Sequence, residues 1–189
     1  MLAKLCILST AAVLLLTDTV SASAYDFPSF DIFHSKCGIN VNYKDTLCYN
    51  AYNNLVQTLT YFIDNHDPAN GHYTFKEKQA ISYVWATHIS ASGWASDNIF
   101  ETNQLQDGSC QISARSRTKS MFHEGQLDNF CDLWNVLNDA GTISNQGIYS
   151  CSYSPADPMT QCHKNTKTIE EDAKKQAAQQ QSEAVIPKE

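Results

Sequence analysis

Residues 45–89 read DTLCYNAYNNLVQTLTYFIDNHDPANGHYTFKEKQAISYVWATHI, and this stretch decides the fold. In its first half the apolar positions are Leu47, Ala51, Leu55, Val56, Leu59, Phe62 and Ile63. They recur at three- and four-residue steps, so the spacing predicts an amphipathic helix with Asn50, Asn53, Asn54 and Gln57 on its wet side. Asp45 is placed to cap it. The pattern breaks at Asp64-Asn65-His66-Asp67-Pro68-Ala69-Asn70-Gly71, because proline cannot continue a helix and Asn-Gly favours a turn. Beyond the break, Thr74 and Glu77 have the spacing of a capping box. Ile81, Val84, Trp85, His88 and Ile89 then predict a second helix packed on the first.

Working outward, Cys110 to Phe122 alternates and predicts a strand. One face carries Ile112, Ala114, Ser116, Thr118 and Ser120, and the other Arg115, Arg117, Lys119 and Met121. A third helix is predicted from about Glu124 to Asn138, with Leu127, Phe130, Cys131, Trp134 and Leu137 as its apolar face. Asp128, Asp132, Asn135 and Asp139 share what reads as its solvated side. Residues 143–153 are β-prone at Ile148-Tyr149 and are expected to pair with the 110–122 strand. Residues 25–42 read as an aromatic arm, and 90–109 as a long connection of the kind that is often functional. The fold class is therefore α+β: about three amphipathic helices with a small antiparallel sheet, stapled by disulfides. A mostly α fold with irregular loops is the alternative.

The chain opens with the marks of a secretory leader. Lys4 is basic, residues 5–16 are mostly apolar, and Ala22-Ser23-Ala24 is a small-residue cleavage site. The domain plan is a signal peptide over 1–24, one globular domain over 25–162, and a disordered polar tail over 163–189. That tail is aromatic-free and rich in Lys, Glu, Gln and Ala, too polar to bury a core. Of the seven cysteines, Cys6 lies in the leader. Cys37, Cys48, Cys110, Cys131, Cys151 and Cys162 remain, an even set that in an exported chain predicts disulfides. The equal spacing of Cys37–Cys48 and Cys151–Cys162 hints at local pairs, with Cys110 joined to Cys131, although the sequence leaves the pairing open.

The net charge of −7 argues against general nucleic-acid binding and against attraction to anionic membranes. No N-x-S/T site for glycosylation is present. Arg115, Arg117 and Lys119 would form a ladder along one strand face, suited to sulfate, phosphate or an acidic glycan. A strand edge guarded by cations is the structural alternative. His66, His72 and His88 with Asp64 and Asp67 are the weak candidates for acid–base or zinc chemistry, without an H-E-x-x-H spacing. His88, on an apolar stripe, also fits a core histidine. The 64–77 turn partly matches a calcium loop through Asn70, Gly71, Thr74 and Glu77, but His66 and Pro68 stand where carboxylates belong.

Glu77, Glu101 and Glu124 are unplaced carboxylates, His123-Glu124 is a weaker pair, and Trp94 is a possible sugar platform. There is no nucleophile elbow and no phosphate loop. No cofactor and no resident metal are implied. The reading is a secreted non-enzymatic binding or effector protein with an extracellular, anionic partner. A His/Asp hydrolase around residues 64–88 and a calcium-stabilised scaffold are the alternatives.

Overall fold

The computed structural model describes residues 24–121 and 126–163. The leader, the His123-Glu124 pair and the tail from 164 onward lie outside the described residues. The strands are β1 Lys36–Tyr43, β2 His72–Gln79, β3 Tyr83–Ile89, β4 Ala95–Gln104, β5 Cys110–Thr118 and β6 Asn145–Tyr149. The helices are α1 Cys48–Tyr61, α2 Gln126–Ala140 and a single turn, α3 Pro158–Gln161. All six strands join one antiparallel sheet in the order β2-β3-β4-β5-β1-β6. The architecture is α+β and disulfide-linked, with two long helices among the described residues where three were predicted.

The predicted second helix is instead the β2–β3 hairpin, with Ile81 at a positive φ of 59° in its turn. The physical reason lies in β3. Val84, Ala86 and His88 face the helices, while Tyr83 and Trp85 pack on the opposite face. A strand buried on both sides reads as a continuous apolar run, and periodicity alone does not separate that from a helix. Strand β4 likewise occupies half of the predicted 90–109 connection, and β1 occupies the last part of the predicted arm. Strand β6 pairs with β1, not with the 110–122 strand.

Helix α1 keeps its predicted core stripe of Ala51, Leu55, Leu59 and then Phe62. Its N-cap is Leu47, not Asp45, which sits at a positive φ of 54°. The side chain of Gln104 on β4 meets the first helical N–H, that of Cys48, at 2.8 Å. Both helices cover one face of the sheet, where Ile39, Val41, Tyr43, Ile112 and Phe100 meet Phe130, Leu133 and Leu137. We call this the inner face.

The outer face carries a smaller cluster of Tyr83, Trp85 and Ile99. Residues 24–35 run across it, and Phe27 stacks tilted on Trp85 at 5.5 Å between ring centres. The disulfides are Cys37–Cys151, Cys48–Cys110 and Cys131–Cys162, so none of the three local pairs holds. They tie β1 to the segment after β6, α1 to β5, and α2 to α3. Each closes a long chain loop, which limits the freedom of the unfolded state more than a local bridge would.

Candidate functional site

Two clusters of titratable side chains form on opposite faces of the sheet. The inner one is centred on His88 of β3. Its Nε2 donates to Asp67 Oδ2 at 2.9 Å, and its Nδ1 lies 2.7 Å from Asp132 Oδ1 on α2. Asp67 also accepts from the backbone N–H groups of Ala69 (3.1 Å) and Gly71 (2.8 Å), closing the turn that follows α1. Gly71 is required there: a Cβ at this position would lie 1.9 Å from His88 Nε2. On the other side, Ser96 Oγ donates to Asp132 Oδ2 at 2.5 Å, and the Tyr73 hydroxyl donates to the Asp132 carbonyl at 2.8 Å.

The cluster is sealed. His88, Asp67 and Asp132 expose 2%, 4% and 2% of their surface. Burial alone would lower the pKa of His88. The charge and hydrogen bond of Asp132, joined by those of Asp67, outweigh it and carry the imidazole up to about 10. Burial works to raise the carboxyl of Asp67, but His88 and the two turn N–H groups hold it below the usual range. Asp132, fully enclosed, is pushed up by burial despite His88 and Ser96. The result is a buried imidazolium clamped between two acids on two other segments.

This arrangement constrains its chemistry. A general base needs a ring nitrogen free to reach substrate and a pKa near the working pH. Here both nitrogens are occupied and the ring stays protonated at neutral pH. Among the described residues, no group of three or more His, Cys, Asp and Glu has the geometry to hold a metal ion.

Of the residues named from sequence, His88 and Asp67 come together. Asp64 and His66 do not join them. His66 stacks on Tyr61 at 4.1 Å near the surface, and Asp64 is exposed. His72 opens β2 and is half-buried. In the calcium-loop frame, Glu77 lies within β2 and accepts from the Tyr83 hydroxyl at 2.7 Å. A strand therefore stands where that motif needs its second helix. Trp94 sits half-exposed in the β3–β4 turn.

Sequence reasoning missed Asp132, which it placed on the solvated side of the third helix. Asp132, Asn129 and Asn135 are all buried against the sheet or α3, with Asn129 Nδ2 donating to Ser116 Oγ at 2.8 Å. A signal existed. Phe130, Cys131, Leu133, Trp134, Val136 and Leu137 spread apolar positions over more than half of α2's circumference, which leaves little of it for solvent and brings Asp132 and Asn135 against protein while Asp139 stays exposed.

The outer cluster is built on Arg115 and Arg117 of β5 and on Lys119 just beyond it. Arg115, Arg117 and Lys119 do share a face, and each meets a carboxylate. Arg115 reaches Glu101 at 3.0 Å and packs over the Phe27 ring at 4.9 Å. Lys119 lies 3.4 Å from Asp97, which also accepts from Thr87. Arg117 meets Asp31 at 2.5 Å, and Asp31 belongs to no strand. The His34 ring stands 2.8 Å from both the Asp31 carboxylate and Arg117. Arg117, then His34, hold the Asp31 carboxyl well below the usual range. No protein-family model matches this chain, and no curated protein is similar to it.

Proposed function

We propose that this chain is a secreted, non-enzymatic binding protein that recognises an anionic extracellular ligand, an acidic glycan foremost, through the outer-face cations of β5. One observation carries the reading: a carboxylate delivered by a segment outside the sheet already docks on Arg117 with His34 beside it. The face accepts an anion from elsewhere, flanked by an aromatic contact between Phe27 and Arg115. Planar guanidinium forks suit carboxylate, sulfate and phosphate oxygens. Three disulfides support an oxidising, extracellular address.

The hydrolase alternative loses support because the inner histidine has no free nitrogen. The calcium alternative loses support because the 64–77 turn spends Asp67 on His88 and on its own backbone.

The test is retention on immobilised heparin at low salt. The parent chain is expected to be held, and the Arg115→Ala/Arg117→Ala/Lys119→Ala variant to elute earlier. Co-elution of the two chains would overturn the reading.

A further inference from the structure

We propose that the segment around residues 27–35 is a strap that fills the outer-face anion site in cis, and that a sulfated glycan gains the site by displacing the Asp31 carboxylate. This rests on the function proposed above and adds how that site is regulated. The sheet register creates the need for an anion. Lys36 of β1 and Arg117 of β5 are direct cross-strand partners, and like charges placed opposite each other destabilise a sheet.

Asp31 relieves the conflict from outside the sheet. Its carboxylate meets Arg117, and its backbone carbonyl accepts from Lys36 Nζ at 2.5 Å. His34 adds a third nitrogen-bearing group around the same carboxylate. Lys36, Arg117 and His34 therefore converge on one acidic residue.

Asp31 fills this site incompletely. Its Oδ1 is spent on the strap's own N–H groups at Phe33 (2.8 Å) and His34 (2.9 Å), so Oδ2 carries the contact with Arg117. Among the described residues, no acceptor meets the buried Arg117 Nε. A sulfate group, with more oxygens and no internal obligations, can engage the Nε–H that a single carboxylate oxygen leaves unmade.

The strap is also lightly held. Its apolar anchors are Phe27 and the partly buried Phe30, whereas Ile32 beyond Asp31 is 87% exposed. Segments with few buried contacts open at low free-energy cost. Lifting the strap would uncover Trp85 and free Arg115 from Phe27, so one displacement event enlarges the binding face.

The experiment uses the full mature chain as parent, Asp31→Ala, Arg117→Ala and Asp139→Ala. Asp139 is exposed on α2, across the sheet from the strap, and controls for the loss of one negative charge. The readout is the sodium chloride concentration that elutes each from immobilised heparin. Asp31→Ala should elute later than both the parent and Asp139→Ala, and Arg117→Ala earlier than the parent.

Asp31→Ala eluting with Asp139→Ala, while Arg117→Ala still elutes early, overturns the strap and leaves the binding face standing. No change in either Asp31→Ala or Arg117→Ala removes both. Should Asp31→Ala fail to fold, limited proteolysis of the parent decides instead. Heparin fragments should speed cleavage within residues 28–34, free sulfate should do so only at much higher concentration, and chloride at equal ionic strength should do less. Unchanged or slower cleavage with heparin overturns displacement.

Discussion

The two clusters are near mirror images in composition and opposite in physics. Inside, one histidine lies between two aspartates, Asp67 and Asp132. Outside, one aspartate, Asp31, lies between a histidine and an arginine. The inner side chains are 1–2% exposed and the outer ones 13–32%. Coulomb attraction at a given distance is several-fold stronger in a protein interior than at its surface, and so is the cost of leaving a charge alone. The inner cluster thus behaves as a fixed rivet joining β3, the turn after α1, and α2. The outer cluster, in partial contact with water and salt, can exchange one anion for another at lower cost. Burial, more than residue type, separates a structural ion cluster from an exchangeable one.

The sharpest way to break this comparison is to remove the inner cation. His88→Ala leaves two buried carboxylates facing each other without compensation. Breaking a buried pair this way costs about 3–5 kcal/mol, a large share of a domain's total stability. Chemical denaturation of the parent and the variant measures it. A loss below about 1 kcal/mol would mean that the cluster is solvated and that the inner and outer sites do not differ in kind.

The same cluster should write itself into the pH dependence. His88 titrates near 10 in the folded chain and near the ordinary ~6.5 when unfolded. The folded state therefore keeps a proton that the unfolded state gives up between those values. His88's contribution is complete below about pH 6.5 and shrinks as pH rises toward 10, by at most about 1.4 kcal/mol per pH unit. Asp67 has the opposite sign: its contribution holds above about pH 4 and is lost as pH falls through its lowered folded value. Maximum stability should then lie in the mildly acidic range, with a decline between pH 6.5 and 9 that His88→Gln abolishes. A flat parent profile over that interval would show that the ring is neutral in the fold.

A smaller effect tests the packing around the rivet. Gly71→Ala places a methyl group against His88 Nε2 and Asp67 Oδ2. The turn must shift, which should cost about 1–3 kcal/mol, as overpacking usually does. It should also shorten the pH interval over which stability falls, because a longer His88–Asp67 contact brings the folded pKa of His88 down toward its unchanged unfolded value. A variant as stable as the parent would place the turn further from β3 than the structure has it.

Much of this organisation was legible in the residues. The α1 stripe from Ala51 to Phe62, the alternation of residues 110–118, the body of α2 and the shared face of Arg115, Arg117 and Lys119 all follow from periodicity. What failed has a common cause. Residues 83–86 are buried on both faces, so their apolar run carries no period-two signature, and the i, i+3, i+4 matches among Ile81, Val84, Trp85 and His88 are fortuitous. Reading that hairpin as a helix puts His88 on a helix stripe and Asp132 in water, which hides their meeting. Proline and Asn-Gly mark a turn within residues 64–71, although the helical turn Phe62–His66 runs into that stretch, and the partner of Asp67 emerges only once β3 is a strand. The strap contact between Asp31 and Arg117 spans most of the domain's sequence, and nothing local encodes it.

Salt supplies the gentlest test of the comparison, and the one that separates the two clusters most directly. Screening shortens the reach of charge from about 10 Å at 0.1 M to about 3 Å at 1 M for groups in contact with solvent, and much less for buried ones. Asp31, His34 and Arg117 are reached by solvent, whereas Asp67, His88 and Asp132 are not. Raising sodium chloride across that range should therefore speed proteolytic cleavage within residues 28–34 while the denaturation midpoint near pH 6 stays nearly constant. The dissociation matters because the two readouts sample different openings: strap release breaks the outer-face contacts of Phe27, Phe30 and Asp31, but global unfolding must break the inner cluster too. If both move together, the strap is welded into the same cooperative unit as the core, and an anion from outside would have to unfold the sheet to reach Arg117. If only the strap responds, the outer site opens on its own, as exchange of one anion for another demands.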